Sequence, residues 1–520
     1  MSLTKRYVVA VDLGTTSTKT LVIDRDGRVI ASNAIEYPLH TPRPDRAEQD
    51  PLEIFEAAVT GIAEVIRNAG ISGGEVICVS FSSAMHSLIA VDRDGSPLTP
   101  CVTWADNRSV EFVRTLKQEL DGLRIYRQTG TPIHPMSPLL KLMWFNKYEP
   151  ELVGRTHKFI GIKEFVFARL FGNYVIDYSL ASATGLFNLE ALDWDAEALQ
   201  IAGVAREQLS RPVTTTHIEQ GLSPEYAART GLPAETPFVV GASDGVLANL
   251  GVGAFEPGIY AVSIGTSGAV RGTVSRPITD PQGRLFCYAL KDDFWCLGGA
   301  INNGGIMFRW VRDQLATLEA EEGRRRGMDP YDYLTSIAQT VAPGSDGLIF
   351  LPLLAGERAP YWNANARGTF FGMSLFHEKK HMIRAVMEGV MYRIHSVVTA
   401  LEEAGGPTRE IRASGGFARS SFWLGMMADV LGTTVTVPPS IESSGLGAAQ
   451  LGLLAVGETR DFSSIHEWVQ GGARFEPNPA NTSVYRELTD IYMQVYRQLK
   501  DQFDAIATFQ QAHVGGGATK

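Results

Sequence analysis

Two stretches, nearly half a chain apart, share one design. "VVAVDLGTTSTKTLVID" (Val8–Asp24) and "GIYAVSIGTSGAVRGTVS" (Gly258–Ser275) each join two β-rich runs through a tip of glycine and hydroxyl residues. The tips are Gly14-Thr15-Thr16-Ser17 and Gly265-Thr266-Ser267-Gly268. A tight turn exposes successive backbone N–H groups and the hydroxyls add donors, which makes an anion cradle without a fixed charge. One such hairpin serves turn formation as readily as phosphate binding. Two copies, each opening half of a chain, predict two related α/β domains that hold a nucleotide in a cleft between them.

The rest of the chain fits that plan. Helical periodicity is read over 51–68, 107–121, 137–149, 195–202, 222–230, 303–320, 329–341, 378–404 and 421–431. Strand-like runs include VICVSF, PFVVGAS, IRAS and TVTV, and FCYALKDDFWCLGG reads as a hairpin. The domain boundary is placed near VGAFEPG. This gives an N-terminal domain over 1–253, a C-terminal domain over 254–470 and a helical extension with a tail over 471–520. Met1-Ser2-Leu3 reads as an expression scar and the closing GGGATK as a disordered tail.

At 520 residues a large core is available. A net charge of -10 argues against a general nucleic-acid binder, which presents a basic surface. No apolar run approaches the ~20 residues of a membrane span, and no secretory leader is visible, so a cytoplasmic location is expected. Cys78, Cys101, Cys287 and Cys296 form no C-x-x-C pair and are expected as buried free thiols.

The candidate chemistry lies at strand ends. Asp12, just before the first tip, is placed to hold a metal-bound water beside phosphate oxygens, and Lys19 adds positive charge. Gly415-Gly416 and Gly304-Gly305 each precede a helix, where backbone approaches a ligand closely and the helix start favours phosphate. Asp244 ends a buried β-run at a helix start. It suits a helix cap and a general base toward a hydroxyl equally well. His86, Trp104, Asp106, Asn107 and Arg108 cluster at the ends of apolar runs and suit a polyhydroxylated ligand. No H-E-x-x-H or Walker A motif is present, so the expected metal is Mg²⁺ brought by the nucleotide.

Together these residues resemble the FGGY carbohydrate kinases, over roughly 6–470. "MSPLLKLMWFNK" (136–147) is similar to one signature of that family through Pro138, Lys141 and Trp144. "GTFFGMSLFHEKKHMIRAVMEG" (368–389) is similar to the other through Gly368, Gly372, His381, Arg384, Ala385 and Glu388. The resemblance implies two ribonuclease H-like domains of the actin-like ATPase fold, ATP and Mg²⁺ as cofactors, a small-molecule sugar partner and compatibility with a homodimer. It implies Asp244 as catalytic base and Asp12 as the Mg²⁺-linked acid. Thr15, Thr16, Lys19, Gly265 and Thr266 would meet phosphate, and Gly305, Arg309, Gly415, Gly416 and Ser420 the nucleotide. Arg309 and Ser420 stand where glycerol kinases carry amide side chains.

Within the family, "SFSSAMHSLIAVD", "PLTPCVTWADNRS", "TGTPIHPMSPL", "IGIKEFVFARLFG" and "VIDYSLASATGLFNL" resemble bacterial gluconate kinases. Xylulose-type relatives carry Q-M-H-G where this chain has Ala84-Met85-His86-Ser87. They carry W-N-D-x-R where it has Trp104-Ala105-Asp106-Asn107-Arg108. The implied reaction is phosphorylation of the terminal hydroxyl of gluconate by ATP, with Met85, His86, Trp104, Asp106, Arg108, His134, Lys163 and Asp244 around the sugar. Arg108, Lys163 and His134 are the cations expected for its carboxylate. A kinase for a neutral ketose or polyol, or an ATPase acting on a protein partner, are the alternatives.

Overall fold

The computed structural model describes residues 5–291, 293–440 and 442–513. The scar and tail readings at the two ends lie outside the described residues. In chain order, the strands that build the two large sheets are β1 (Tyr7–Leu13), β2 (Ser17–Asp24), β3 (Val29–Glu36), β4 (Val76–Ser83), β5 (Ile218–Glu219), β6 (Phe238–Ser243) and β7 (Ile259–Ile264). They continue as β8 (Gly268–Val274), β9 (Phe286–Lys291), β10 (Phe294–Ile301), β11 (Glu410–Ser414), β12 (Val435–Val437) and β13 (Ala473–Phe475). The helices that matter to the site are α1 (Pro51–Ala69), α2 (Pro138–Tyr148), α3 (Ile162–Phe171), α4 (Tyr178–Ser182), α5 (Asp244–Gly251) and α6 (Ile306–Trp310). Later come α7 (Pro330–Ala338), α8 (Lys379–Gly405), α9 (Ser421–Leu431), α10 (Ser443–Ala455) and α11 (Pro479–His513).

The first sheet runs β5-β6-β4-β1-β2-β3, the second β9-β10-β8-β7-β11-β12-β13. The duplicated design survives in both. β1 pairs antiparallel with β2 and parallel with β4. β7 likewise pairs antiparallel with β8 and parallel with β11.

The chain forms two compact units that interleave along the sequence. One takes residues up to Glu256, Thr273–Leu297 and Glu442–Gln470; the other takes Pro257–Gly272, Gly298–Ile441 and the residues from Gly471 onward. The boundary read at 253/254 lies beside the first change of unit. Further along, segments that the sequence assigns to the second domain return to the first unit, because their apolar faces pack there.

In the first unit, alternate residues of β1 and β2 face opposite sides, as a strand requires. Val9, Val11, Leu13 and Val22 join a core with α1. Val8, Ala10, Leu21 and Ile23 join a second core with α5 and α10. Asp50 starts α1 by accepting from the Leu52 amide, with Pro51 in the first turn. The small residues of α10 are needed for contact: a Cβ on Gly447 would overlap the Leu247 carbonyl of α5.

In the second unit, α8 carries a buried polar knot. Glu388 accepts from Arg384 Nε (2.7 Å), the Gly344 amide (2.9 Å), Ser345 Oγ (2.8 Å) and Tyr485 Oη (2.9 Å). The second signature is therefore a structural fastening between α8, the turn at 344–345 and α11.

Two expected helices are broken. Residues 107–121 give only 111–114 and a wide π turn over 115–119, ended by Asp121 at φ 45°. Residues 303–320 break at Ala316, whose backbone (φ −128°, ψ 45°) leaves the helical region. The 4 cysteines are buried free thiols. Among the described residues, no helix is long and apolar enough to cross a membrane.

Candidate functional site

The first tip is held from below. Tyr37 Oη donates to the Gly14 carbonyl (2.8 Å), and the Tyr37 amide donates to the Thr16 carbonyl (3.1 Å). Gln49 donates to the Thr15 carbonyl (2.7 Å). Thr16 is left exposed at the apex and Thr15 half-buried. Asp12 sits opposite Lys19 on β2 and Ser82 on β4. Its Oδ1 accepts from Ser82 Oγ and its Oδ2 from Ser444 Oγ of α10, both at 2.7 Å. Lys19, expected on phosphate, is ion-paired with Glu442 at 2.9 Å, though its side chain stays 40% exposed. Neither Ser82, Ser444 nor Glu442 was singled out in the sequence, since only the fold brings them beside the first strand.

The polyol cluster divides into floor and wall. Asp106 is fully buried. Its carboxylate accepts from Arg108 Nε (2.8 Å), Arg108 Nη2 (2.8 Å) and the Ala47 amide (2.8 Å). Burial alone would raise this carboxyl, but the guanidinium fork and the amide outweigh it and hold it below the ordinary value. Arg108 also pairs with Glu48 and lies over the Trp144 ring. Asp106 and Arg108, expected as ligand contacts, are thus a buried internal pair that shapes the loop. Trp104 and Met85 remain half-buried, and the Trp104 indole donates to Thr15 Oγ1 (2.9 Å). His134 is also half-buried, its Nδ1 accepting from the Met136 amide (3.2 Å).

His86 has left-handed backbone (φ 66°), a conformation that a non-glycine side chain keeps only where its surroundings enforce it. Its ring Nδ1 donates to the Ala183 carbonyl (2.7 Å). From below, Lys141 of α2 donates to the carbonyls of His86 (2.5 Å) and Thr103 (2.7 Å). One ammonium therefore ties together the two loops that carry the cluster. Its burial pushes its pKa down to about 7, against the opposing pull of Asp106. The first signature lysine is a scaffold for the site.

Asp244 is the first residue of α5, at the end of the wholly buried strand β6. Its side chain is half-buried and its Oδ1 accepts from the Gly245 amide (2.6 Å). A carboxylate there is favoured by the helix start. Ser243 takes the cap position, so Asp244 is not the helix cap that the sequence left open. Lys163, expected on a ligand carboxylate, is 3% exposed and paired with Asp177 at 2.7 Å.

In the second unit, the other tip rests on glycines. The Gly305 amide donates to the Gly265 carbonyl (2.7 Å) and the Ile306 amide to the Thr266 carbonyl (3.1 Å). A Cβ would fall 2.6 Å from the Gly265 oxygen if placed on Gly305, and 2.5 Å from the Ser267 oxygen if placed on Gly304. Both glycines of the pair are close-approach positions. Gly265 and Thr266 are left exposed. A cavity of about 540 Å³ adjoins them, lined by Gly265, Thr266, Gly305, Arg309, Gly416 and Ser420, six of the expected nucleotide contacts. Gly415 lies behind it, against the end of β7. Phe308 stacks on Tyr331 (5.7 Å) and meets Trp423 edge-on (5.6 Å), which gives the cavity an aromatic side. Asp329 and Asp332 add carboxylates to the lining. These five residues escaped sequence reading, although Asp329-Pro330 was visible as a helix start. Ser420 also serves as the cap of α9.

Residues 7–251 match the N-terminal domain, and residues 260–456 the C-terminal domain, of the FGGY family of carbohydrate kinases. The chain is 50% identical to the gluconokinase of Bacillus subtilis (strain 168) over 506 residues, 97% of this chain and 98% of that protein. It is 48% identical to the gluconokinase of Bacillus licheniformis (97% and 98% covered) and 28% identical to the xylulose kinase of Bacillus subtilis (strain 168) (97% and 100%). Among solved structures, it superposes on a gluconate kinase from Lactobacillus acidophilus with TM-score 0.91 at 35% identity, covering 96% of this chain and 99% of that one. A ligand-bound xylulose kinase from the same organism gives TM-score 0.91 at 36% identity, with the same coverage. The fold is the two-domain, ribonuclease H-like fold of actin-like ATPases. The chain belongs to the FGGY family of carbohydrate kinases, phosphotransferases with an alcohol group as acceptor.

Proposed function

We propose that this kinase transfers the γ-phosphoryl group of ATP to the 6-hydroxyl of D-gluconate, giving 6-phosphogluconate, with Asp244 as general base. The observation that carries the substrate is the identity contrast along the whole chain: 50% to a gluconokinase against 28% to a xylulose kinase of one species. Backbone likeness does not separate the two classes, since both superpose equally well.

In this reading the adenine and ribose occupy the aromatic-sided cavity of the second unit, with Arg309 and Ser420 beside them. The exposed tip at Gly265-Thr266 offers backbone and hydroxyl donors to phosphate oxygens, and Thr15, Thr16 and Lys19 do so from the first tip. Trp104, Met85 and His86 face the sugar. Half-buried His134 is the proposed partner of its carboxylate, because Arg108 and Lys163 are buried against internal acids. Asp244 takes the proton of the 6-hydroxyl as that oxygen attacks the γ-phosphorus in line.

The cation in this reading is Mg²⁺ carried by the nucleotide. Asp12 fits that cation. Each of its oxygens accepts one serine hydroxyl and retains a lone pair for a metal-bound water. Bound with the nucleotide, Mg²⁺ neutralises charge on the phosphate oxygens.

Coupled ADP release tests the proposal with gluconate, xylulose, ribulose and glycerol as acceptors. Gluconate is expected to give the highest kcat/KM, and Asp244→Asn to lower kcat by about 10²–10⁴-fold while ATP still binds. Turnover of a neutral sugar but not of gluconate refutes the substrate. Equal ADP release without any acceptor favours an ATPase.

A further inference from the structure

The Lys163–Asp177 ion pair is buried (3% and 0% exposed) beside the strand end that carries Asp244, and the phosphoryl transfer described above makes no use of it. Its surroundings say what it does. Lys163, in the first turn of α3, sits 2.7 Å from Asp177 Oδ2 and donates to the Ala242 carbonyl at 3.2 Å. Ala242 lies two residues before Asp244 on the end of β6. Asp177 Oδ1 accepts from the Leu180 amide (3.0 Å) and so starts the short helix α4.

That helix is fastened at both ends to the site. Ser179 Oγ donates to Ser243 Oγ (2.9 Å) and accepts from the Ser243 amide (3.2 Å), immediately before Asp244. One residue past the helix, the Ala183 carbonyl accepts from His86 Nδ1 (2.7 Å). Thr131 Oγ1 donates to the Ser182 carbonyl (2.7 Å), and Ser182 Oγ accepts from the Ala289 amide (2.9 Å). The helix and the residue after it thus touch both the strand end that carries Asp244 and the ring of His86.

We infer that Lys163 and Asp177 are positioning residues: they clamp the end of β6 and the start of α4, and through α4 they hold Asp244 in register with His86. The inference rests on the reading of Asp244 as the base. It also gives Lys163 a different task from pairing with a substrate carboxylate. Burial pushes the Lys163 ammonium down, while Asp177 first, then Glu164 and Asp244, pull it back up. A misplaced base costs about 10²-fold in rate for an error near 1 Å, and that is the scale expected when the clamp is cut.

The experiment compares Lys163→Met, Lys163→Arg, Asp177→Asn, Ser179→Ala, the double variant Lys163→Met/Asp177→Asn and Asp244→Asn. Each is assayed in the full chain with gluconate and with any neutral acceptor that turns over. Lys163→Met is expected to lower kcat by about 10²-fold for every acceptor, with KM for ATP within about twofold. Lys163→Arg should recover part of the loss. Because the pair acts as a unit, the double variant should be no worse than the worse single change. Ser179→Ala cuts only the link between α4 and β6, keeps the buried charges balanced and should lower kcat about tenfold. It keeps the inference testable if Lys163→Met does not fold. A tenfold or larger rise in gluconate KM at unchanged kcat, with the neutral acceptor unaffected, would make Lys163 a carboxylate ligand and overturn the inference. If Asp244→Asn is inactive while Lys163→Met and Ser179→Ala keep wild-type kcat, the inference alone falls. If Asp244→Asn keeps its kcat, the base assignment falls and takes the inference with it.

Discussion

Gly415 and Gly416 are neighbours in sequence, yet alanine should destabilise the fold at the first and leave its stability unchanged at the second. Gly415 has φ 95° and ψ −179°, a region essentially restricted to glycine, where another residue costs about 1–3 kcal/mol. A Cβ there would also stand 2.5 Å from the Ile264 carbonyl oxygen and 2.9 Å from its carbon. Ile264 is the last residue of β7, directly before the Gly265-Thr266-Ser267 tip. Overlap with backbone adds about 1–3 kcal/mol, so Gly415→Ala should cost roughly 2–6 kcal/mol. At about 2–4 °C per kcal/mol for a body of this size, the apparent melting point falls on the order of 10 °C. Any relief must push the tip away from its seat, so KM for ATP should rise at least about tenfold while KM for gluconate holds. A Cβ on Gly416 meets no atom within 4 Å, so Gly416→Ala should melt like the parent, within about 0.5 kcal/mol. Because Gly416 lines the cavity, its ATP KM should still rise. Differential scanning fluorimetry without ligands, followed by ATP titrations, separates the two. Equal melting of Gly415→Ala and Gly416→Ala would refute the reasoning.

Three further outcomes follow from named contacts. Burial pushes the Glu164 carboxyl up to about 7, against the hydrogen bond from the Gly161 amide. Its folded pKa exceeds the unfolded one, so the contribution is full below about 4.5 and is lost as pH rises through about 7. Glu164→Gln should therefore gain about 1–3 kcal/mol over the parent at pH 8 relative to pH 4.5 in urea unfolding, and a constant difference would sink this reading. Glu388→Gln leaves Arg384 buried without its anion and should cost about 3–5 kcal/mol in the same assay. The kcat of its folded fraction should be unchanged, and a specific loss of kcat would return that residue to the chemistry. Asp12→Ala should lower turnover by about 10²–10³-fold, with gluconate affinity by calorimetry within about threefold. Near-normal turnover would remove Asp12 from the metal side.

What the sequence disclosed depended on how local the determinant was. The hairpins, α1, α2 and α9 follow from periodicity and caps within about twenty residues, and their limits fall within a residue or two of expectation. The tips and glycine pairs were legible because φ and close approach leave little choice of residue. Residues whose contacts depend on distant partners were not legible. Arg108 and Lys163 look like ligand cations in a linear reading, but their partners Glu48 and Asp177 are brought to them by pairing and packing. The signature residues Lys141 and Glu388 were correctly singled out, yet both fasten backbone. The break at Ala316 was invisible because no glycine or proline marks it, whereas Asp121-Gly122 coincides with the expected end of its helix.

The hydrogen bond from Ser444 to Asp12 spans 432 residues of chain, and it sets an order for events during synthesis. β1 and β2 leave the ribosome early, with Val8, Ala10, Leu21 and Ile23 on a face whose covering helix, α10, has not yet been made. At about 5–20 residues per second, roughly 20–90 s pass before α10 emerges. The first sheet is therefore born half-covered and stays so for most of translation. A nascent chain stalled before residue 442 would present an apolar surface to chaperones, and translation rate becomes a determinant of yield that neither half of the chain would reveal alone.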